Sequence, residues 1–108
     1  MQQLTTEQLK QKIQNGEDFV LDLFATWCGP CKIMLNNLSK VNESLINESA
    51  GAPKYNIYKY DIDSDRDFVM SEMNIRSVPT IKIFKEGQEV FSKPGVMTAP
   101  EVLNLLKN

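Results

Sequence analysis

The chain has 108 residues, 42% hydrophobic and 24% charged, with 12 basic against 14 acidic side chains and a net charge of −2. That length suits one domain around one modest core, and the charge balance argues against a nucleic-acid ligand, which needs a clustered positive surface. Two cysteines and no histidine cannot complete a four-cysteine zinc site, or one of two cysteines and two histidines, within one chain. Any proton acceptor must be a carboxylate, a lysine or water.

No apolar run is long enough to cross a bilayer. The N-terminus, Met1 to Glu7, lacks the basic and apolar blocks of a signal peptide, so a cytoplasmic protein without a membrane association is expected. Gln2 to Leu4 suits a short edge strand. Thr5 and Gln8 form a capping-box pattern at the head of a helix over residues 5–15, with Leu9 and Ile13 on one face and Gly16 as the stop signal. Residues 18–24 are apolar on both faces, as in a central strand covered on each side. Asp22 interrupts that run, and a carboxylate there is costly unless it is solvated, paired or functional.

The next residues, Trp27-Cys28-Gly29-Pro30-Cys31-Lys32, hold both cysteines. Their i and i+3 spacing places two thiols on one face of a helix, and one helical turn meets the roughly 4.4–6.8 Å Cα separation that a disulfide requires. Pro30 has a fixed φ and no N–H to lose, so it marks the first turn. Cys28 then sits at a helix N-terminus, where unpaired N–H groups and the positive end of the dipole favour a thiolate. Lys32 adds a cation nearby, while Gly29 lets the turn form and leaves the sulfur open. A C-x-x-C after a strand in a β/α pattern signals redox chemistry. As a purely structural bridge the pair would restrain little of the unfolded chain.

Downstream, Met34, Leu38, Val41 and Leu45 continue one apolar helical face to about residue 49, and the polar stretch from Asn47 to Pro53 ends it. Residues 54–60 read as a strand. Asp61, Asp63, Asp65 and Glu72 fall at positions 1, 3, 5 and 12 of an EF-hand loop, but Arg66 stands where the turn needs glycine and a strand leads in. Ser64 and the aspartates instead read as caps of a short helix near 65–73, with Phe68 and Met73 inward. Pro79 opens a strand containing Ile81, Lys82, Ile83 and Phe84. Lys85-Glu86-Gly87-Gln88 turns into a return strand at Glu89–Ser92. Thr98 and Glu101 then cap a last helix with Val102, Leu103 and Leu106 inward. The expected class is α/β, a mixed central sheet of four to five strands with helices on both faces.

The Trp-Cys-Gly-Pro-Cys-Lys string and the Val78-Pro79-Thr80 stretch closely resemble the thioredoxin family, and the likeness covers essentially the whole chain, residues 1–108, as a single thioredoxin domain. The resemblance implies a thioredoxin fold and a protein dithiol–disulfide oxidoreductase that reduces disulfides in other proteins through a mixed disulfide. Cys28 would be the nucleophile and Cys31 the resolving thiol. Asp22 falls where the family has its buried proton acceptor, and Lys59 where a lysine moderates it. Val78-Pro79 matches the family's cis-proline loop. Trp27, Gly29, Pro30, Val78, Pro79, Gly95 and Val96 would form the docking rim. The same likeness implies a monomer with no bound cofactor, a Cys28–Cys31 redox disulfide, and electrons from a thioredoxin reductase drawing on NADPH. Oxidases and isomerases of the fold usually carry a histidine beside the second cysteine, so its absence favours the reductase. A non-redox binding module on the same rim is the other alternative. Four departures stand out: Asn36 in place of a helix-kinking proline, Phe24 for a common tryptophan, Thr26 before Trp27, and Ser77 for a frequent glycine.

Overall fold

A computed structural model describes residues 1–49 and 54–107. In chain order the elements are β1 (Gln2–Gln3), α1 (Thr6–Gln14), β2 (Phe19–Phe24), α2 (Gly29–Glu48), β3 (Asn56–Asp61), a 3-10 turn (Ile62–Ser64), α3 (Arg66–Phe68), a π-helical turn (Val69–Met73), β4 (Thr80–Lys85), β5 (Gln88–Pro94) and α4 (Ala99–Lys107). One five-stranded sheet has the order β1-β3-β2-β4-β5. β3 is parallel to both β1 and β2, whereas β4 is antiparallel to β2 and β5.

The apolar run of β2 is explained by its central place in that order. Phe19, Leu21 and Leu23 face a cluster with Leu9 of α1, Phe68 of α3, Val69 and Met73. Val20 faces the opposite cluster, with Met34, Leu38 and Val41 of α2 and Val102 of α4. Period-2 alternation within a strand buried on both sides sends successive residues to two different cores. Both capping boxes form: Thr5 Oγ1 accepts from the Gln8 N–H at 3.1 Å while Gln8 Oε1 accepts from the Thr5 N–H at 2.9 Å. Thr98 and Glu101 repeat the arrangement at the head of α4, at 3.3 and 3.0 Å.

Several expectations shift. β3 begins two residues later than the β-rich composition suggests, and β5 runs to Pro94. The single helix expected over 65–73 is two short pieces, because only Arg66–Phe68 keeps α-helical bonding before the chain widens to a π turn. Asp65, not Ser64, caps α3 by accepting from the Phe68 N–H, and Asp61 caps the preceding 3-10 turn by accepting from the Asp63 N–H. The stop signal at 50–53 lies outside the described residues. Asn36 is exposed within an α2 that is helical throughout from Gly29 to Glu48. Lys82 does not point to solvent. It is buried on β4 and donates from Nζ to Glu89 Oε1 at 2.6 Å and Ser92 Oγ at 3.2 Å. A buried ammonium is tolerated because both partners come from the neighbouring strand.

The β4–β5 turn is tied to the rest of the fold. Glu86 and Gly87 have φ of 53° and 76°, the pair of positive angles that a type I′ hairpin demands. The Glu86 N–H donates to Asp18 Oδ1 at 2.7 Å and the Gly87 N–H to the Glu17 carbonyl at 3.2 Å. A Cβ on Gly87 would also run into the Ile13 carbonyl oxygen at the end of α1. Gly87→Ala should therefore destabilise the protein by roughly 2–4 kcal/mol, combining left-handed strain with a backbone clash. Urea denaturation checks it, and a loss below about 0.5 kcal/mol would contradict the close approach.

Candidate active site

β2 ends at Phe24, and after the four residues 25–28 the chain enters α2. Cys28 is the N-cap, with extended φ −94° and ψ 109°, and its sulfur accepts from the Cys31 N–H at 3.2 Å. Pro30 occupies the first turn, where no intrahelical N–H is lost. Cys28 and Cys31 are joined as a disulfide across a Cα separation of 5.3 Å. Phe24, Ala25, Ile62 and Val78 pack around the pair, leaving Cys28 only 6% and Cys31 4% exposed. The sulfur that caps the helix is thus the one best placed to carry negative charge, next to the free N–H groups of a 20-residue helix. Gly29 has no positive φ, and a Cβ there would meet nothing within 4 Å. The turn itself therefore does not require glycine, and the residue's contribution is open space beside Cys28.

Asp22 lies beneath the disulfide on β2. It is fully buried, and neither carboxylate oxygen has a hydrogen-bond partner among the described residues. Desolvation pushes its pKa up to about 7, against the opposing pull of the Lys59 cation. Lys59 is its register partner on β3, but it forms no ion pair with Asp22. Its Nζ instead sits 5.5 Å from the centre of the Phe24 ring. A cleft of about 220 Å³ is lined by Asp22, Phe24, Cys28, Cys31, Lys32 and Lys59 among others. It places the carboxylate and the second sulfur on one cleft, with Lys32 exposed at its wall.

The rim comes from three loops. The Val78–Pro79 bond is cis, and the Cys28 sulfur lies 3.6 Å from the Val78 carbonyl oxygen. Gly95, at φ +94°, donates its N–H to the Pro79 carbonyl at 2.8 Å, bringing its loop against that segment. Val96 and Trp27 are 43% and 66% exposed. Ser77 accepts through its carbonyl from Thr80 Oγ1 at 2.7 Å, which its glycine counterpart would do equally. Thr26 is exposed and nothing in the structure explains the choice of threonine there.

The sequence reading missed what holds Trp27. The indole Nε1 donates to Asp63 Oδ2 at 2.9 Å, while Asp63 Oδ1 accepts from Arg66 Nε and Nη2 at 3.0 and 2.8 Å. These donors hold the Asp63 carboxyl below the usual carboxylate range, the indole contributing most. The acidic series that imitates a calcium loop is consumed by capping and by Trp27. No three histidine, cysteine or carboxylate side chains converge as metal ligands would among the described residues. The i, i+3 spacing of Asp63 and Arg66 was the visible hint. The exposed Met70 and Ile33 were also unread.

Comparison with known proteins gives this geometry a family. The family model described as Thioredoxin matches residues 1–108. A thioredoxin of Mycoplasmoides gallisepticum is 31% identical over 100 residues, 93% of this chain and 92% of that protein. Thioredoxin-1 of Saccharomyces cerevisiae is 32% identical over 95 residues, 88% of this chain and 84% of the relative. The structure of Plasmodium falciparum thioredoxin superposes with a TM-score of 0.80 at 26% identity, covering 99% of this chain and 97% of that one. Thioredoxins need no bound cofactor, and the binding-module and oxidase alternatives are not favoured. With its disulfide at the helix cap and its whole length matched, the chain belongs to the thioredoxin family and acts as a thioredoxin-type disulfide oxidoreductase.

Proposed function

We propose that the protein is a single-domain, monomeric, cytoplasmic protein-disulfide reductase. The observation that carries this reading is the Cys28–Cys31 pair at the N-cap of α2. In the reduced protein the Cys28 thiolate attacks a substrate sulfur, a Cys28–substrate disulfide forms, and the other substrate sulfur leaves as a thiolate that takes up a proton. Cys31 then gives up its proton and attacks Cys28, releasing the second substrate thiol and leaving the internal disulfide. Held one turn away, Cys31 acts at a high effective concentration.

Asp22 is our candidate acceptor for the Cys31 proton. A group near pKa 7 exchanges protons most readily at neutral pH, and the shared cleft is roomy enough for a water to bridge the two. Lys59 keeps the pKa from rising further. The target segment docks on Trp27, Gly29, Pro30, Val78, Pro79, Gly95 and Val96. A thioredoxin reductase using NADPH is the proposed source of electrons.

Reduction of insulin disulfides with dithiothreitol as electron donor tests the function, and an absence of turnover above the dithiothreitol background would overturn it. Cys31→Ser should lower multiple turnover by more than about a hundredfold and accumulate a Cys28–substrate disulfide visible by mass spectrometry. Asp22 also sets a pH signature on stability. Its folded pKa of about 7 stands above the unfolded 3.8, so the native state binds the proton more tightly. Stability then falls as pH rises from about 4 to about 7 and levels off above that. In the oxidised protein, the gain from Asp22→Ala should grow by up to about 4 kcal/mol between pH 4 and pH 8. Urea melts at the two pH values measure it, and a pH-independent difference would show that Asp22 titrates normally.

A further inference from the structure

A second groove, of about 180 Å³, is lined by Trp27, Ile62, Val69, Met70, Ile75 and Val78, with Arg66, Arg76 and Ser77 completing it. Its walls are apolar, and both its charged residues are basic. It is continuous with the reacting centre, because Val78 lines the groove and its carbonyl oxygen lies 3.6 Å from the Cys28 sulfur. Trp27 is fixed from behind by Asp63, and Met70, 72% exposed, supplies a long unbranched wall that adapts to different apolar side chains.

The two arginines are not equivalent. Arg66 spends its charge on Asp63 at 2.8 Å. Arg76 is exposed and has no ion pair or hydrogen bond with any described residue. In a chain of net charge −2, this leaves an uncompensated cation at the lip of an apolar groove beside the sulfur. We propose that the groove selects target segments carrying an acidic residue next to an apolar one, with Arg76 as the residue that sets this preference. The inference rests on the disulfide-reductase reading and names the substrate class for it.

The test uses the full chain, reduced beforehand with dithiothreitol and freed of it, against peptides whose one cysteine is disulfide-bonded to 2-mercaptoethanol. The dithiol gives two electrons, forms the Cys28–Cys31 bridge and releases the peptide thiol and 2-mercaptoethanol. Trp27, the single tryptophan, reports the change by fluorescence. Peptides differ only in Glu, Gln or Lys at each position flanking an apolar residue near the cysteine. The expected rate constant for the best Glu peptide is about fivefold above its Gln twin at low salt, the scale of one exposed ion pair. The Lys peptide should fall below both, and the preference should fade in about 1 M salt. Arg76→Gln should bring the Glu/Gln ratio to about one, and Arg76→Lys should retain most of it. Equal rates for all peptides with the unaltered protein would overturn the inference alone, as would a preference that survives Arg76→Gln. Failure to reduce any peptide would overturn the reductase reading beneath it.

Discussion

A helix capped by sulfur is the constraint from which the site follows. Most N-caps are hydroxyls, amides or carboxylates, whose oxygen satisfies a free N–H at the helix start. Here Cys28 takes that place, and its sulfur accepts the Cys31 N–H. The arrangement does two things at once. It closes the helix, and it holds a nucleophilic atom where the helix field favours its ionised form. Everything around the cap serves its position: β2 delivers it from the centre of the sheet, Pro30 fixes the first turn, and the Val78 carbonyl bounds the sulfur on its other side. The same helix needs its apolar face of Met34, Leu38 and Val41 buried against the sheet. The chemistry at its tip is thereby anchored to the core.

The sequence disclosed the elements whose signals are local. Thr5 with Gln8, Thr98 with Glu101, Pro30 after Cys28, and Glu86-Gly87 between alternating runs each specify a structure within a few residues, and all four form as read. The two cysteines were legible for the same reason. What escaped was set by partners distant in the chain. Asp63 and Trp27 are 36 residues apart and meet only because the loop after β3 folds beside the cysteine turn. Nothing local to Lys82 announces its burial, which Glu89 and Ser92 across the hairpin allow. The π-helical turn at Val69–Met73 has no sequence signature distinct from a helix end. The groove it helps to line was therefore invisible until the chain was folded.

The acidic run of residues 61–65 shows why spacing alone misleads. Three carboxylates at alternating positions satisfy the outline of a cation loop, but a cation site needs their oxygens to converge. In the fold each makes a different set of hydrogen bonds. Asp61 and Asp65 hold backbone N–H groups, and Asp63 holds an indole and a guanidinium. A carboxylate facing backbone donors at the start of a short helix is stabilised by them. The consequence for function is indirect but physical. Trp27, 66% exposed on the rim, takes its orientation from an element that looked like a binding motif for something else.

Asp22 and Lys59 complete the logic from the opposite side of the disulfide. Neighbours in register on adjacent strands, they had every opportunity to form a buried ion pair. An intimate pair would hold the carboxylate ionised across the neutral range and remove it from proton exchange. Instead the lysine's ammonium rests over the Phe24 ring, close enough to temper Asp22 and too weakly engaged to fix its charge. The carboxylate stays near neutrality in its pKa because its desolvation is only partly offset. Phe24 thus acts twice, as an apolar wall packed against the cysteines and as the seat for the cation. A tryptophan there would offer a larger π face together with an N–H donor. Phenylalanine supplies the face without the donor, so the Asp22 oxygens receive no hydrogen bond from this position, and burial and the Lys59 charge are left to set the proton affinity beneath the disulfide.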